Sequence, residues 1–324
     1  MTDRILDLSE SAVALKVRHE QLLIEPPGGS PVTIPLADIA VVVASHPHIR
    51  YTQAVVSGLA EHGGVLVACN ERCCPVAMML PLDGHYVQAE RFAQQAQMSL
   101  PTKKRLWKQI VQAKISAQSS VLRSLHGVDG GLEAMVSKVR SGDPQNREAT
   151  AAQRYWPRVF GDPQFRRDRE AGDQNRQLNY GYAVLRAIIA RGIAAAGLHP
   201  SLGLHHSNRY NAFVLADDLM EPYRPLVDHS IAASIAEWGL EPKFDRTSKT
   251  DVLDGLLRRF SYDGESRTLF DWVQKLTSSL AQVCAGERRD LEIPLLRYSV
   301  VETPRKPVAR ETQSSASTRR EGRG

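Results

Sequence analysis

Residues 215–228, LADDLMEPYRPLVD, carry the carboxylates Asp217, Asp218 and Glu221 around the apolar pair Leu219-Met220. On a helix, positions three apart share a face one turn apart, so Asp218 and Glu221 can act together. Just upstream, SLGLHHSNRYNAF places His205 and His206 after a Pro/Gly turn, from which they can face back towards those acids. Earlier still, Glu148 stands in NREATAAQRYW beside Ala149, Ala151 and Ala152, small neighbours that admit another helix or a phosphate. Two carboxylates and one imidazole make a ligand set for Mg2+ or Mn2+, with positions left for water and a phosphate oxygen. Such a cation polarises a phosphodiester and stabilises charge on the attacking or leaving oxygen. Zinc chemistry would call for more His or Cys.

The same residues have a plainer reading. Asp218 with Glu221 fits an N-cap and its N3 partner, and Pro222 fits a first helical turn whose N–H groups are unpaired anyway. Pro225 would kink any longer helix. Glu148 at a helix start would complement the macrodipole. Arg147, Arg154, Arg158, Arg166 and Arg167 lie around Glu148 in sequence, where they could hold phosphates or form ordinary ion pairs. Residue types alone leave the metal site and the helix caps both open.

The charge distribution bears on the partner. The net charge of +5 conceals a middle segment, 101–209, with 18 basic and 8 acidic side chains. Residues 1–100 carry 6 and 10, residues 210–302 carry 11 and 16, and residues 303–324 carry 6 and 2. A concentrated cationic stretch is the electrostatic footprint of a phosphate-backbone binder, although solvated helix faces give the same count. Other signatures are missing: there is no G-x-x-x-x-G-K-[ST] loop, no H-E-x-x-H and no G-x-S-x-G. Cys69, Cys73, Cys74 and Cys284 include one C-x-x-x-C without a second ligand pair, and read as reduced thiols. No stretch has the length of a membrane span and MTDRILDLSES lacks a signal-peptide core, so a cytoplasmic location is expected.

The elements that must position these residues divide the chain of 324 residues. Residues 1–86 read as a small β-rich domain, through alternation in RILDLS and SAVALKVRHEQLLIE, the PPGGSP turn, β-branched VTIPLADIAVVVAS, and the short runs VLVACN and PVAMMLPL. One helix is expected within it at TQAVVSGLAEHG, before Gly63-Gly64. Residues 87–302 read as a larger all-α domain, helical up to about residue 285, with Thr102 a cap for the helix that follows it and Gly197 ending a long Ala/Ile-rich helix. Residues 303–324 read as a disordered basic tail. The fold class expected is α+β.

The segments DPQNREATAAQRYWPRVFG, LNYGYAVLRA and GLHPSLGLHHSNRYNAFVLADDLMEPYRPLVD resemble the CRISPR-associated integrase family Cas1, in the form found in type II systems. The likeness runs over roughly residues 1–295, and its motifs are a glutamate at an Ala-rich helix start, LGxxH, and DLMEPxRPxxD. It implies Glu148, His206 and Glu221 as catalytic and metal-binding residues, with Asp218 in support and His205 a bystander. It also implies Mg2+ or Mn2+, a homodimer, the partner protein Cas2, double-stranded DNA as prespacer and CRISPR repeat, and further type II CRISPR proteins. The implied reaction joins 3′ ends of spacer DNA to the repeat, with associated endonuclease activity. Arg209, three residues past His206, would then touch the scissile phosphate or its neighbour, and Lys103, Lys104, Arg105, Arg154 and Arg166 the DNA backbone. Two rivals remain: a related metal-dependent nuclease or transposon-type integrase, and a DNA-binding scaffold without catalysis.

Overall fold

The computed structural model describes residues 3–70, 75–238 and 244–296. The tail expected to be disordered, and Cys73 and Cys74, lie outside the described residues. The N-terminal part holds β1 (Arg4–Asp7), β2 (Ala14–Arg18), β3 (Gln21–Glu25), β4 (Val32–Pro35), β5 (Ile39–Ala44), β6 (Arg50–Tyr51), α1 (Gln53–Glu61), β7 (Val65–Cys69) and β8 (Pro75–Met79). One sheet runs β1-β5-β7-β8, with β8 antiparallel to the rest, and the other runs β4-β3-β2-β6. Leu15, Leu22, Ile34, Leu36, Ile39, Val42, Val55 and Leu59 form a core between the sheets and α1. Val41, Val43, Val65 and Val67, on the opposite face, belong to the main helical core. The central strands β5 and β7 are therefore covered on both faces, which explains their unbroken apolar sequences.

The helical part comprises α2 (Gln88–Ala96), α3 (Leu100–His126), α4 (Glu133–Val136), α5 (Arg147–Val159), α6 (Gln174–Ala195), α7 (Val214–Met220), a 3-10 turn (Glu221–Tyr223), α8 (Arg224–Trp238), α9 (Arg246–Leu257) and α10 (Leu269–Cys284). The architecture is thus the expected α+β class. Helix α6 is the axle, buried along most of its length. A Cβ at Gly181 would come within 2.4 Å of Val227 and 3.0 Å of Val252, so this glycine sets how closely α6 meets α8 and α9. Among the described residues, no helix is long and apolar enough to cross a membrane.

Three expectations need correction. Ser99, not Thr102, caps α3; its hydroxyl accepts the Thr102 N–H at 3.4 Å, and Pro101 fits the first turn. Residues 259–268, expected to be helical, form the hairpin β9 (Arg259–Tyr262) and β10 (Glu265–Thr268). Asp263 and Gly264 have φ of 50° and 76°, the left-handed pair that a tight hairpin turn requires. Pro225 does not kink a continuous helix, because the chain already breaks into a 3-10 turn at Glu221–Tyr223 and Pro225 falls in the first turn of α8.

Candidate active site

Two elements, α5 and the 3-10 turn, converge on Lys114 in the middle of α3. Flanking Val111, Ala113 and Ile115 are buried, so this part of α3 is fixed by packing. Nζ of Lys114 lies 2.6 Å from Oε1 of Glu148 on α5 and 2.6 Å from Oε2 of Glu221 in the 3-10 turn. The Glu148 contact is an aligned hydrogen bond, with the ammonium donating. The Glu221 contact is an ion pair out of line for one, leaving Oε2 buried without an aligned donor among the described residues. Arg224 approaches Oε1 of Glu221 with its Nε at 2.9 Å and stacks over Tyr182 at 4.7 Å.

Local structure aims Glu148. Asp143 accepts the backbone N–H groups of Arg147 and Glu148, both at 2.9 Å, and Asn146 accepts that of Ala149 at 3.4 Å. The first turn of α5 is thereby capped twice, and Glu148 enters the site from a helix N-terminus. Asp143 and Asn146 tolerate the left-handed conformation this turn needs, with φ of 47° and 49°.

Asp218 does different work from the cap suggested by its spacing. It lies in α7, fully buried. Its Oδ2 accepts the N–H groups of Leu204 at 2.7 Å and His205 at 2.9 Å, while its Oδ1 accepts that of His206 at 3.3 Å and pairs with His206 Nδ1 at 2.6 Å. One carboxylate thus shapes the loop and orients the ring. In the neutral ring, with Nδ1 donating to Asp218, Nε2 of His206 keeps its lone pair. Gly203 makes the approach possible: a Cβ there would sit 2.4 Å from Val214, 2.9 Å from the His206 carbonyl and 3.1 Å from Asp218 Oδ2. Asp217 anchors the same loop from outside, accepting from Arg186 at 2.7 Å and Asn211 at 2.6 Å. His205 stacks flat on Trp107 at 4.2 Å, and His206 meets the same indole edge-on at 5.3 Å.

The electrostatics follow from these contacts. The hydrogen bond to Asp218 raises the pKa of His206 against the opposing effect of burial, and Asp218, Glu221 and Glu148 add to the rise. Burial pushes Glu221 up, but Arg224 and Lys114 outweigh it and hold this carboxyl below its ordinary value. Burial pushes Lys114 down, and Glu221 with Glu148 reverse that to a net rise. Glu221 and Lys114 are therefore both charged at neutral pH. Among the described residues, no group of three or more His, Cys, Asp or Glu stands ready to hold a metal. The two glutamates gather round an ammonium rather than round each other.

The remaining basic residues separate into two kinds. Arg209 is exposed on the His206 loop, hydrogen-bonding Tyr210 Oη at 2.6 Å and lying over its ring at 4.7 Å. Lys104 and Arg154 are also exposed, and Lys103 is half-buried. Arg105 instead bonds the Arg289 carbonyl at 2.9 Å and pairs with Asp290 at 3.5 Å. Arg166, although exposed, folds back on the Pro163 and Phe165 carbonyls at 3.0 and 2.8 Å. Sequence reading missed Lys114, Arg224 and Asp143. The only signal for Lys114 was a cation among the apolar positions of α3, and for Arg224 its place three residues after Glu221.

A family model described as CRISPR associated protein Cas1 matches residues 6–259. A curated relative, "CRISPR-associated endonuclease Cas1" of Neisseria meningitidis serogroup C (strain 8013), is 36% identical over 298 residues, covering 91% of this chain and 96% of the relative. Among solved structures, "Casposase bound to integration product" superposes with a TM-score of 0.71 at 20% identity, over 91% of this chain and 93% of that one. A chain of a "Cas6-RT-Cas1--Cas2 complex" superposes with a TM-score of 0.71 at 18% identity, over 89% of this chain and 36% of that one.

Proposed function

The chain belongs to the CRISPR-associated Cas1 family, and on that premise we propose that it is a metal-dependent DNA strand-transfer enzyme of CRISPR adaptation, joining 3′ ends of spacer DNA to the CRISPR repeat, with associated endonuclease activity. The observation that carries this reading is the meeting of Glu148 and Glu221 on one cation, with the Asp218-oriented His206 close enough to feel both charges. The donor set suits a hard divalent cation. Its oxygens already surround a positive charge, and one buried oxygen of Glu221 lacks an aligned donor. Glu148, His206 and Glu221 would hold Mg2+ or Mn2+, which when bound polarises the scissile phosphodiester and eases charge build-up on the attacking and leaving oxygens.

The chain's own residues do the rest. Asp218 fixes the ring and, in the neutral imidazole, leaves the Nε2 lone pair of His206 to face a metal. Asp143 and Asn146 hold Glu148 at the head of α5. Arg209 supplies an exposed guanidinium on the rim, suited to a phosphate oxygen. Lys103, Lys104 and Arg154 are the readier backbone contacts, and Arg105 and Arg166 would have to leave internal partners. The partners proposed are prespacer and repeat DNA, a second copy of the chain, Cas2 and other type II CRISPR proteins. The titles of the two structural neighbours, "Casposase bound to integration product" and "Cas6-RT-Cas1--Cas2 complex", support the first and third.

The test is joining of labelled duplex ends to a repeat-containing plasmid, with Cas2 and with Mn2+ or Mg2+. Glu148→Ala, His206→Ala and Glu221→Ala should each abolish joining while DNA binding survives. Strand transfer persisting in all three would overturn the assignment. One observation favours the scaffold rival: Lys114 and Arg224 give the two glutamates ordinary ion-pair partners. Loss of joining with intact DNA binding would rule it out. Cleavage without joining would favour the nuclease rival.

A further inference from the structure

We propose that Lys114 is the resident counter-ion of this site: its ammonium holds Glu148 and Glu221 together and competes with the divalent cation for them. This rests on the metal-dependent reading above. Glu148 and Glu221 come from separate elements, α5 and the 3-10 turn, and two carboxylates brought together repel. Lys114 touches both at 2.6 Å, with its side chain 13% exposed. Among the described residues, Lys114 is the only ion-pair partner of Glu148, whereas Glu221 also has Arg224. Removing Lys114 therefore strands one acid and leaves the other half-compensated.

The chemistry of the two cations assigns them different roles. Arg224 is a planar guanidinium pinned by Glu221 on one side and the Tyr182 ring on the other. Lys114 is a compact point charge on a flexible four-carbon stem, and the stem's base is fixed in the packed face of α3. Its head can leave while the helix stays. The arrangement keeps the half-buried Glu148 and the buried Glu221 converged before the cation arrives, and the cation must displace an ammonium to bind. That lowers apparent metal affinity in return for a formed site.

The test is Mn2+ titration calorimetry on the full chain, with melting temperatures recorded in the absence and presence of saturating Mn2+. Wild type, Lys114→Met and Glu221→Gln are compared. Lys114→Met should bind Mn2+ roughly tenfold tighter or more, the scale of removing one close charge from the site. It should also melt lower than wild type without Mn2+, and this gap should close when Mn2+ saturates. Equal or weaker binding by Lys114→Met, beside lost binding in Glu221→Gln, overturns the role of Lys114 and leaves the metal reading standing. Equal binding by wild type and Glu221→Gln takes down the metal reading and the competition with it. Should Lys114→Met fail to fold, lysine-labelled wild-type protein is titrated with Mg2+ in an NMR experiment. The Lys114 side-chain signal, identified by its loss in Lys114→Arg, should shift along a saturating curve, and a signal that stays fixed overturns the proposal.

Discussion

Glu221 and Asp228 belong to one short run of chain and are both buried, at 6% and 1% exposure, yet their surroundings treat charge in opposite ways. Glu221 faces Lys114 and Arg224, which overcome burial and keep it ionised. Asp228 faces two neutral donors, the hydroxyls of Tyr155 at 3.0 Å and Tyr182. There burial wins over those hydrogen bonds and over Arg224 and Arg167, and the carboxyl is pushed up to about 6. A carboxylate held by ion pairs stays charged at neutral pH. One held by hydroxyls from α5 and α6 is an anchor, tying those helices to α8. The DLMEPxRPxxD motif thus contains an ion-paired acid and a hydroxyl-bound acid, which only their neighbours distinguish.

The largest expected effect tests that division directly. Glu221→Gln should reduce strand transfer by about a thousandfold, the upper range for losing one group that stabilises a transition state. Asp228→Asn should leave the rate of the folded enzyme close to wild type. A comparable loss of rate in both variants, measured at a temperature where both are folded, would erase the distinction.

The next effect is on stability, and here Asp228 has an opponent beside it. Because the folded state binds the Asp228 proton more tightly than the unfolded chain, its contribution is present below pH 3.8 and lost as pH rises through about 6. The loss is about 3 kcal/mol. His229 runs the other way: burial, helped by Arg258, lowers its pKa to about 4, so its contribution is present above pH 6.5 and lost as pH falls to about 4. That loss is again about 3 kcal/mol. The two offset one another between pH values of about 4 and 6. Urea unfolding across this range should show Asp228→Asn losing stability towards acid, and His229→Gln gaining it. Parallel curves for wild type and both variants would mean that neither group is perturbed as described.

A smaller effect is expected behind the histidine. Asp218→Asn weakens the grip on Nδ1 of His206, and Gly203→Ala drives a methyl group against Val214 and the Asp218 carboxylate. Each should cost roughly 10- to 100-fold in Mn2+ affinity or joining rate, the usual range for a group that orients a ligand. Wild-type affinity in both would show that His206 needs no orienting.

How much of this was legible in the sequence depends on how local each signal is. Strand alternation and helix periodicity are short-range, and they located the two-part α+β fold. Glu148, His206 and Glu221 stand in motifs that resemblance could read, and the structure draws them into one neighbourhood. Lys114 stood outside such reading, because its partners are 34 and 107 residues away and only the packing of α3 against α5 and the 3-10 turn unites them. The spacing of Asp218 and Glu221 suggested a cap, whereas tertiary hydrogen bonds made Asp218 a loop organiser and long-range ion pairs engaged Glu221. The hairpin after Leu257 carried a readable Asp-Gly turn, but its strands are four residues each, too short for alternation to stand out from helical surroundings.

The smallest effects concern the basic residues, and they carry the contrast between free and engaged charge out to the surface. Arg154 is exposed, and its guanidinium can meet a phosphate without breaking an ion pair seen here. Arg105 is already occupied by the Arg289 carbonyl and Asp290, clasping the segment after α10. Arg154→Ala should therefore weaken DNA binding evenly across sequences and reduce the slope of log affinity against log salt by about one. Arg105→Ala should leave that slope unchanged and lower unfolding stability by about 1 kcal/mol, the scale of an ordinary hydrogen bond and a partly exposed ion pair. Filter binding over a range of salt concentrations, paired with urea melts of the same preparations, separates the two. A reduced slope for Arg105→Ala would mean that DNA pulls this arginine away from Asp290, making it a phosphate contact despite its internal partners.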